Sequence, residues 1–534
     1  MKLRELQQSE QTEGQTPGAV VPEITPETGP VYGLGATAIE HGDARAIPQA
    51  LAFIRVRAFA ITAISIALLV PCFWHKYIEA CDLGSHVYNA WLASLIEQEK
   101  APGLYIAHQW NNALFDILLT RFGTAFGWTA AERIVVSLTV LVFFWGAFAL
   151  IGAASRRAAW TLVPALAMVA YGWTFNIGFF NYYLSLGLAF WSAALLWRGK
   201  GTERLAGIAL VPLILLAHPL GLVWLIGTVI FAKATEELPG WWKALPVAAG
   251  ALLLYAVRTF LVHRYAVQWL PSPVPFYLMN GLNGVDQLVL GIQYRTLARI
   301  VFVLGAGCFL LDAVQRVKKA ASWKNLWVPL GLYALAILAT VLLPDRIVFP
   351  QFPVPFVFFL FRFSTISAVF ALCILGCLQP RKWHLVVFSI AAAIFFSMMY
   401  QDTGKIDAME QQAERLVSRL PAGQRVTATI FPPSGSRFYF VDHIVDRACV
   451  ERCFSYSNFE PSSQAYRIRV RAGSPVVAAS PEIVGQMELG TYVVQSADLP
   501  LFQIYQCGAK MTDLCMSELH AGEQTGSASQ PSNH

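Results

Sequence analysis

The stretch FAITAISIALLVPCFW, Phe59–Trp74, followed almost at once by EACDLGSHVYNAWLASLIEQEK, Glu79–Lys100, decides how the rest of the chain is read. The first part is an uncharged apolar run of the kind that crosses a bilayer. The second sets two carboxylates, Glu79 and Asp82, and a histidine, His86, where the chain leaves that run. From Ser85 onward Val87, Tyr88, Trp91, Leu92, Leu95 and Ile96 recur at three- and four-residue spacing. That period predicts an amphipathic helix along the membrane interface, its aromatic residues suited to the headgroup region. Asp82 stands just before it, so its simplest role is an N-cap, a carboxylate accepting free amides of the first turn. On that reading Glu79 is solvated and His86 is an interfacial polar residue.

Composition sets the class. Of 534 residues 56% are hydrophobic and only 13% charged, and the mean hydropathy is +0.50. A soluble globule is excluded, and the expected fold is a polytopic α-helical membrane protein. The net charge of +6 does not indicate a nucleic-acid partner, because the basic residues sit in short clusters between apolar runs, a pattern that carries topology. Apolar runs at 56–74, 134–154, 158–176, 180–197, 205–218, 219–234, 243–263, 297–315, 325–343, 355–378 and 383–400 predict about eleven spans. The clusters Arg55/Arg57, Arg156/Arg157, Arg198/Lys200/Arg204, Lys233/Lys243, Arg316/Lys318/Lys319/Lys324 and Arg381/Lys382 then fall on one side, which the positive-inside rule makes cytoplasmic. This alternation requires 205–234 to be two crossings broken at AHPLG, around His218 and Pro219. It puts the N-terminus inside and the C-terminus outside. The segment 113–126, interrupted by Asp116 and Arg121, reads as an interfacial helix.

The organisation that follows is a disordered cytoplasmic tail (1–48), a transmembrane domain (49–400) with a long outer loop (75–133), an extracytoplasmic α/β domain (401–520) and a disordered end (521–534). In the C-terminal domain a helical stretch, KIDAMEQQAERLVSRL, precedes β-like runs at 426–431, 438–445, 465–470, 491–496 and 502–507. Four of the nine cysteines, Cys449, Cys453, Cys507 and Cys515, lie there. An even set in an external domain predicts one or two disulfides with the pairing open; the rival is a zinc site with His443 or His520, though C-x3-C and C-x7-C are not its usual spacings. No internal repeat, Walker-type loop or G-x-G-x-x-G is present, so nucleotide-driven pumping is not indicated.

A first span, an acidic residue at its outer end and an amphipathic helix along the membrane resemble the GT-C superfamily of membrane glycosyltransferases, which includes the protein O-mannosyltransferases and the bacterial aminoarabinose transferases. The resemblance covers the layout: about eleven spans, a long first outer loop and a soluble C-terminal domain. Its one local motif is D-x-x-x-H, Asp82-Leu-Gly-Ser-His86. It implies that Asp82 acts as catalytic base or metal-site residue (Mg or Mn being the divalent candidates), with Glu79 and His86 beside it. It further implies a sugar donor on a polyprenyl phosphate, a glycan, lipid or protein acceptor, and a bacterial-type inner membrane. Many members carry adjacent acids, whereas Glu79 and Asp82 are three apart.

Such a transfer needs a base for the acceptor proton and positive charge on the departing phosphate. For the phosphate the sequence offers Arg362, the only charge in PVPFVFFLFRFSTISAVF; intramembrane arginine marks function by default, and its fork of donors matches phosphate. The competing role is snorkelling to the interface. Arg258, near another outer end, fits snorkelling better, and Arg346 lies in the outer loop 344–356 with Asp345. His218 reads as a turn residue or a ligand, and Asp286 and Asp345 as solvated loop charges or a second acid. The loop 268–287, with its prolines and aromatics, is a candidate gate. Two other classes fit the layout: a lipid-linked saccharide transporter or flippase, which would carry midplane charges and pseudo-repeats, and a non-catalytic scaffold.

Overall fold

Among the described residues seven helices are long and apolar enough to cross a membrane by length and composition: Trp128–Ser155, Pro219–Glu237, Gly240–Arg264, Ile292–Lys318, Lys324–Leu342, Phe359–Cys377 and Lys382–Val417. They come from a computed structural model that describes residues 46–269, 283–318, 323–351, 354–378, 382–431, 441–508 and 512–526. Each coincides with an apolar run expected to span. The expectations on 1–45 and 527–534, and most of the loop 268–287, lie outside the described residues.

The other four runs differ from simple spans, for visible reasons. The first is a helix, Ala46–Leu69, that runs on into a 3-10 turn, Val70–Cys72, and its apolar stretch, Arg57–Cys72, is short. The run at 180–197 is a helix, Phe180–Arg198, with Asn181, Tyr182, Tyr183, Ser185 and Gly187 in its first half, too polar to count among the seven. The run at 205–218 divides into Thr202–Ala209 and Val211–Ala217, the second opening on Pro212. The run at 158–176 breaks into Val163–Ala170 and Trp173–Asn176. At this last break the Asn176 amide Nδ2 donates to the Tyr171 and Gly172 carbonyls (2.8 and 3.0 Å).

The chain forms two units, 1–62 and 63–534; in the first, the described residues are the opening turns of the Ala46–Leu69 helix. In the second, the last long helix runs unbroken for 36 residues, Lys382–Val417. At 1.5 Å per residue that is about 54 Å, well beyond a hydrocarbon core of about 30 Å. The sequence boundary at 400 therefore falls inside one helix, which carries the chain directly into the C-terminal sheet.

That sheet has strand order β5-β4-β7-β8, with β4 (Arg425–Thr429), β5 (Phe454–Ser455), β7 (Leu501–Gln506) and β8 (Leu514–Leu519). β4 is parallel to β5 and β7, and β8 is antiparallel to β7. Among the described residues two of the expected runs form no strand. Of 438–445, the described residues turn into a helix, Ile444–Cys449. The run 491–496 holds a single bridge, Val493 to Gln524, because Gln495 and Asp498 form a capping box that winds the chain into a 3-10 turn. The cysteines pair as Cys449–Cys453 and Cys507–Cys515, which consumes the thiols a zinc site would need.

The loop 75–133 packs against the C-terminal part of the chain. Its β1 (Leu104–Ile106) pairs antiparallel with β6 (Ile468–Val470) of the C-terminal part. The helix Leu83–Glu97 buries eleven of its fifteen residues, Tyr88, Trp91 and Leu92 included. The Tyr88 hydroxyl accepts from the Ser455 backbone N–H at 2.8 Å, and Asn458 Nδ2 donates to Asn89 Oδ1 at 2.9 Å. The aromatic stripe that read as an interfacial belt is a protein–protein seam, since helical period reports a buried face without naming what covers it.

Candidate functional site

Asp82 takes the N-cap position of the Leu83–Glu97 helix but makes no capping hydrogen bond. Its backbone is already helical, φ −81° and ψ −2°, and this turns the carboxylate away from the first-turn amides that a capping side chain meets from an extended backbone. The break in the 158–176 run holds it there. Cys81 N–H donates to Asn176 O (2.8 Å) and Asp82 N–H to Ile177 O (3.3 Å). Gly178 follows at φ +88°, where a Cβ would stand 2.5 Å from Asp82 N; no other residue fits both the dihedral and the space.

The carboxylate faces two imidazoles. His443 Nε2 is 3.9 Å from Asp82 Oδ1, with 34% of the Asp82 side chain accessible, while His443 Nδ1 lies 2.7 Å from Asp446 Oδ2. His86 Nδ1 is 2.6 Å from Asp116 Oδ1, and its Nε2 is 3.2 Å from Gly178 O. Asp116 Oδ2 in turn accepts from Asn181 Nδ2 at 2.8 Å. With an acceptor at each ring nitrogen, His86 is held as an imidazolium. Burial alone would lower its pKa, but the Asp116 charge and hydrogen bond carry it up to about 9. His86 makes no hydrogen bond to Asp82 and has no lone pair to offer an acceptor, so its contribution is charge. His443 is likewise raised, to about 10, burial being outweighed by Asp446, Asp82 and Asp442.

Burial raises the Asp82 pKa above the ordinary carboxylate value, and His443, His86 and Arg362 pull it part of the way back. The group is therefore deep among protein atoms although part of it stays open to water. Two further acids share the surroundings: Asp442, pushed by burial to about 6, and Glu460, pushed by burial to about 7, whose Oε1 accepts from Ser85 Oγ at 3.3 Å. Tyr466 lies within electrostatic reach of both Asp82 and Arg362.

These groups set the sign of a pH dependence. The folded state keeps protons on His86 and His443 that the unfolded chain, at 6.5, has released. That stabilisation is complete below pH 6.5 and is lost as pH rises through about 9 to 10. Asp442 and Glu460, with raised pKa values, act in the same direction at lower pH. The melting temperature of the purified protein should fall by several degrees from pH 6.5 to pH 10; a flat or rising profile contradicts the assignment.

Arg362 is in the first turn of Phe359–Cys377. Its Nη1 donates back to Val357 O (2.6 Å) and Phe358 O (3.2 Å). Its guanidinium lies 4.1 Å from the Phe179 ring and 5.2 Å from the Phe356 ring, and its buried Nε has no partner among the described residues. Charge coupling links it to Asp82 and to Asp345. His218 is a turn residue: its Nδ1 accepts from Leu220 N–H at 3.2 Å.

The remaining candidates lie elsewhere. Arg346 is exposed on the short strand β3, Arg346–Val348. Arg258 sits 5.3 Å over the Trp269 ring. Asp286 is buried, with Ser364 Oγ donating to its Oδ1 at 2.5 Å. Glu79 is 5% exposed in a separate buried group with Glu132, Asp407, Glu410 and Arg447. Of the three residues read together in the outer loop, Asp82 and His86 converge and Glu79 does not. The residues that sequence reading missed, His443, Asp446, Asp442 and Glu460, come from the C-terminal part. Their one local signal is Asp442-His443-Ile-Val-Asp446, a histidine with acids on both sides, hidden in a run that read as a strand.

A divalent ion does not fit here. Among the described residues no three His, Cys, Asp or Glu side chains are disposed to hold one, and both His86 nitrogens and His443 Nδ1 already face protein acceptors. No family model, no curated protein and no solved structure matches the chain.

Proposed function

We propose that this multi-pass chain is a membrane glycosyltransferase of GT-C-like type, moving a sugar from a polyprenyl phosphate to an acceptor hydroxyl on the outer face of a bacterial-type inner membrane. The observation that carries the reading is the Asp82 carboxylate: at a cap position without capping, partly open to water, more basic than an ordinary aspartate and within electrostatic reach of Arg362. In the reaction Asp82 takes the proton of the acceptor hydroxyl. The acceptor oxygen bonds to the anomeric carbon, the bond from that carbon to the phosphate oxygen breaks, and the polyprenyl phosphate leaves with the electron pair. Arg362 offers its N–H groups to the phosphate as its charge grows. His86 and His443 keep the surroundings positive without themselves moving a proton. The two disulfides fit an oxidising outer compartment, with the C-terminal part on that side and the N-terminus cytoplasmic.

The test is a reconstitution: the purified chain in liposomes, supplied with polyprenyl-phosphate hexoses and pentoses and a membrane-lipid or glycan extract, with release of free polyprenyl phosphate as the readout. Release that depends on the extract supports the reading; none with any donor overturns it. Arg362→Gln should slow the release roughly 100-fold, and Arg362→Lys less, because charge survives without the planar fork. Equal activity in both variants and wild type would remove Arg362 from the mechanism.

A further inference from the structure

We propose that a second cavity, apart from the Asp82 group, binds the sugar ring of a saccharide. It measures about 440 Å³ and lies between the N-terminal end of Trp128–Ser155, the end of the Lys382–Val417 helix and the helix Ile444–Cys449. That volume is in the range of small-molecule sites, about 300–1,000 Å³. Its floor is buried and charged: Arg447 is 6% and Glu132 5% exposed, with Arg447 Nη1 3.4 Å from Glu132 Oε1. Its mouth is open at Thr129, Glu451 and Arg452.

The lining selects the ligand class by elimination. Three carboxylates, Glu132, Glu414 and Glu451, face two guanidiniums, Arg447 and Arg452, and Lys76 pairs with Glu414. Opposite charges are balanced, so neither a free anion nor a free cation has an electrostatic reason to concentrate here. Among the described residues no metal-binding group of side chains is present. An apolar ligand would desolvate these charges without pairing them. The floor still holds a buried donor without a partner among the described residues, Arg447 Nε, beside carboxylate acceptors. A ligand whose groups both donate and accept satisfies the two together, and hydroxyls do this. Trp128, which also lines the cavity, supplies aromatic surface for the C–H face of a pyranose, the pairing of apolar body and polar rim that such rings require, while the Tyr77 ring is already faced by Lys76 and Arg447, 5.1 and 5.4 Å from its centre.

This site stands on its own lining and does not require the transfer reaction. The experiment uses the full chain in an amphipol, since maltoside detergents would compete. Saturation-transfer NMR is recorded with the methyl glycosides of glucose, galactose, mannose and N-acetylglucosamine. At least one should receive saturation, and Thr129→Trp, which fills the cavity from an exposed position, should abolish the transfer without lowering the melting temperature. Glu451→Ala with Arg452→Ala should weaken it, and Asp82→Asn should leave it unchanged. No transfer with all four glycosides, or transfer that survives Thr129→Trp, overturns the proposal. Transfer lost in Asp82→Asn and kept in Thr129→Trp assigns sugar binding to the Asp82 group instead.

Discussion

Asp82→Asn should lower sugar transfer by roughly 100- to 10,000-fold, the range for loss of a positioned general base, while the protein folds and inserts normally. The structural cost is small because the wild-type carboxylate caps nothing, and asparagine is nearly isosteric. The backbone bonds that hold the residue, from Cys81 and Asp82 N–H to Asn176 and Ile177 O, do not involve the side chain. In the wild type, activity should rise with pH through an acid limb above the usual aspartate value. Asp82 works as a base only when deprotonated, and burial has raised the pH at which that happens. Glycan and glycolipid profiles of cells carrying Asp82→Asn, beside the rate in liposomes, measure the effect. An unchanged profile at normal protein level removes Asp82 from catalysis and favours a scaffold. Retained transfer with failed lipid translocation across a bilayer favours a flippase.

Arg447→Ala should destabilise the contact between the outer loop and the C-terminal part by about 3–5 kcal/mol, the cost of leaving buried partners unpaired. Both Nη atoms of Arg447 donate to Ile78 O at 3.1 Å. Nη1 also lies 3.4 Å from Glu132 and 3.2 Å from Glu410. Burial holds the Glu79 carboxyl well above the usual range, with the Glu410 charge adding to the rise and Arg447 opposing it. Residues 79 and 82 face residues 447 and 443, so one loop segment docks one short helix at two charged points. The expected readouts are a lower melting temperature and faster proteolysis near the Ile444–Cys449 helix, with partial rescue by Glu410→Gln. Glu79→Gln, isosteric with the protonated acid, should leave stability and transfer within a few-fold of wild type. A wild-type melting curve for Arg447→Ala would refute the docking role.

The opening stretch shows where sequence legibility ends. The 3.6-residue period of Val87, Tyr88, Trp91 and Leu92 specified the helix, and Asp82 marked its start within a residue. The period did not specify the neighbour, because lipid headgroups and a protein seam demand the same apolar stripe. Likewise the carboxylate at position 82 was visible, but its failure to cap depends on a backbone dihedral fixed from outside by Gly178 and the carbonyls of 176–177. Glu79 and Asp82, three apart and alike in sequence, part because one meets Arg447 and the other His443.

Hydropathy and length determined the membrane class and all seven of the helices long and apolar enough to cross, since twenty apolar residues have few other uses. Cysteine count and spacing announced a bridged domain. The breaks in the runs at 158–176 and 205–218, the pairing Cys449–Cys453 and Cys507–Cys515, and the union of Asp82 with His443 and Asp446 were decided only when the chain folded. The disulfides close over only 4 and 8 residues, but the Asp82 group joins residues several hundred apart, where a local pattern records that a group will be buried or charged but not which distant group will meet it.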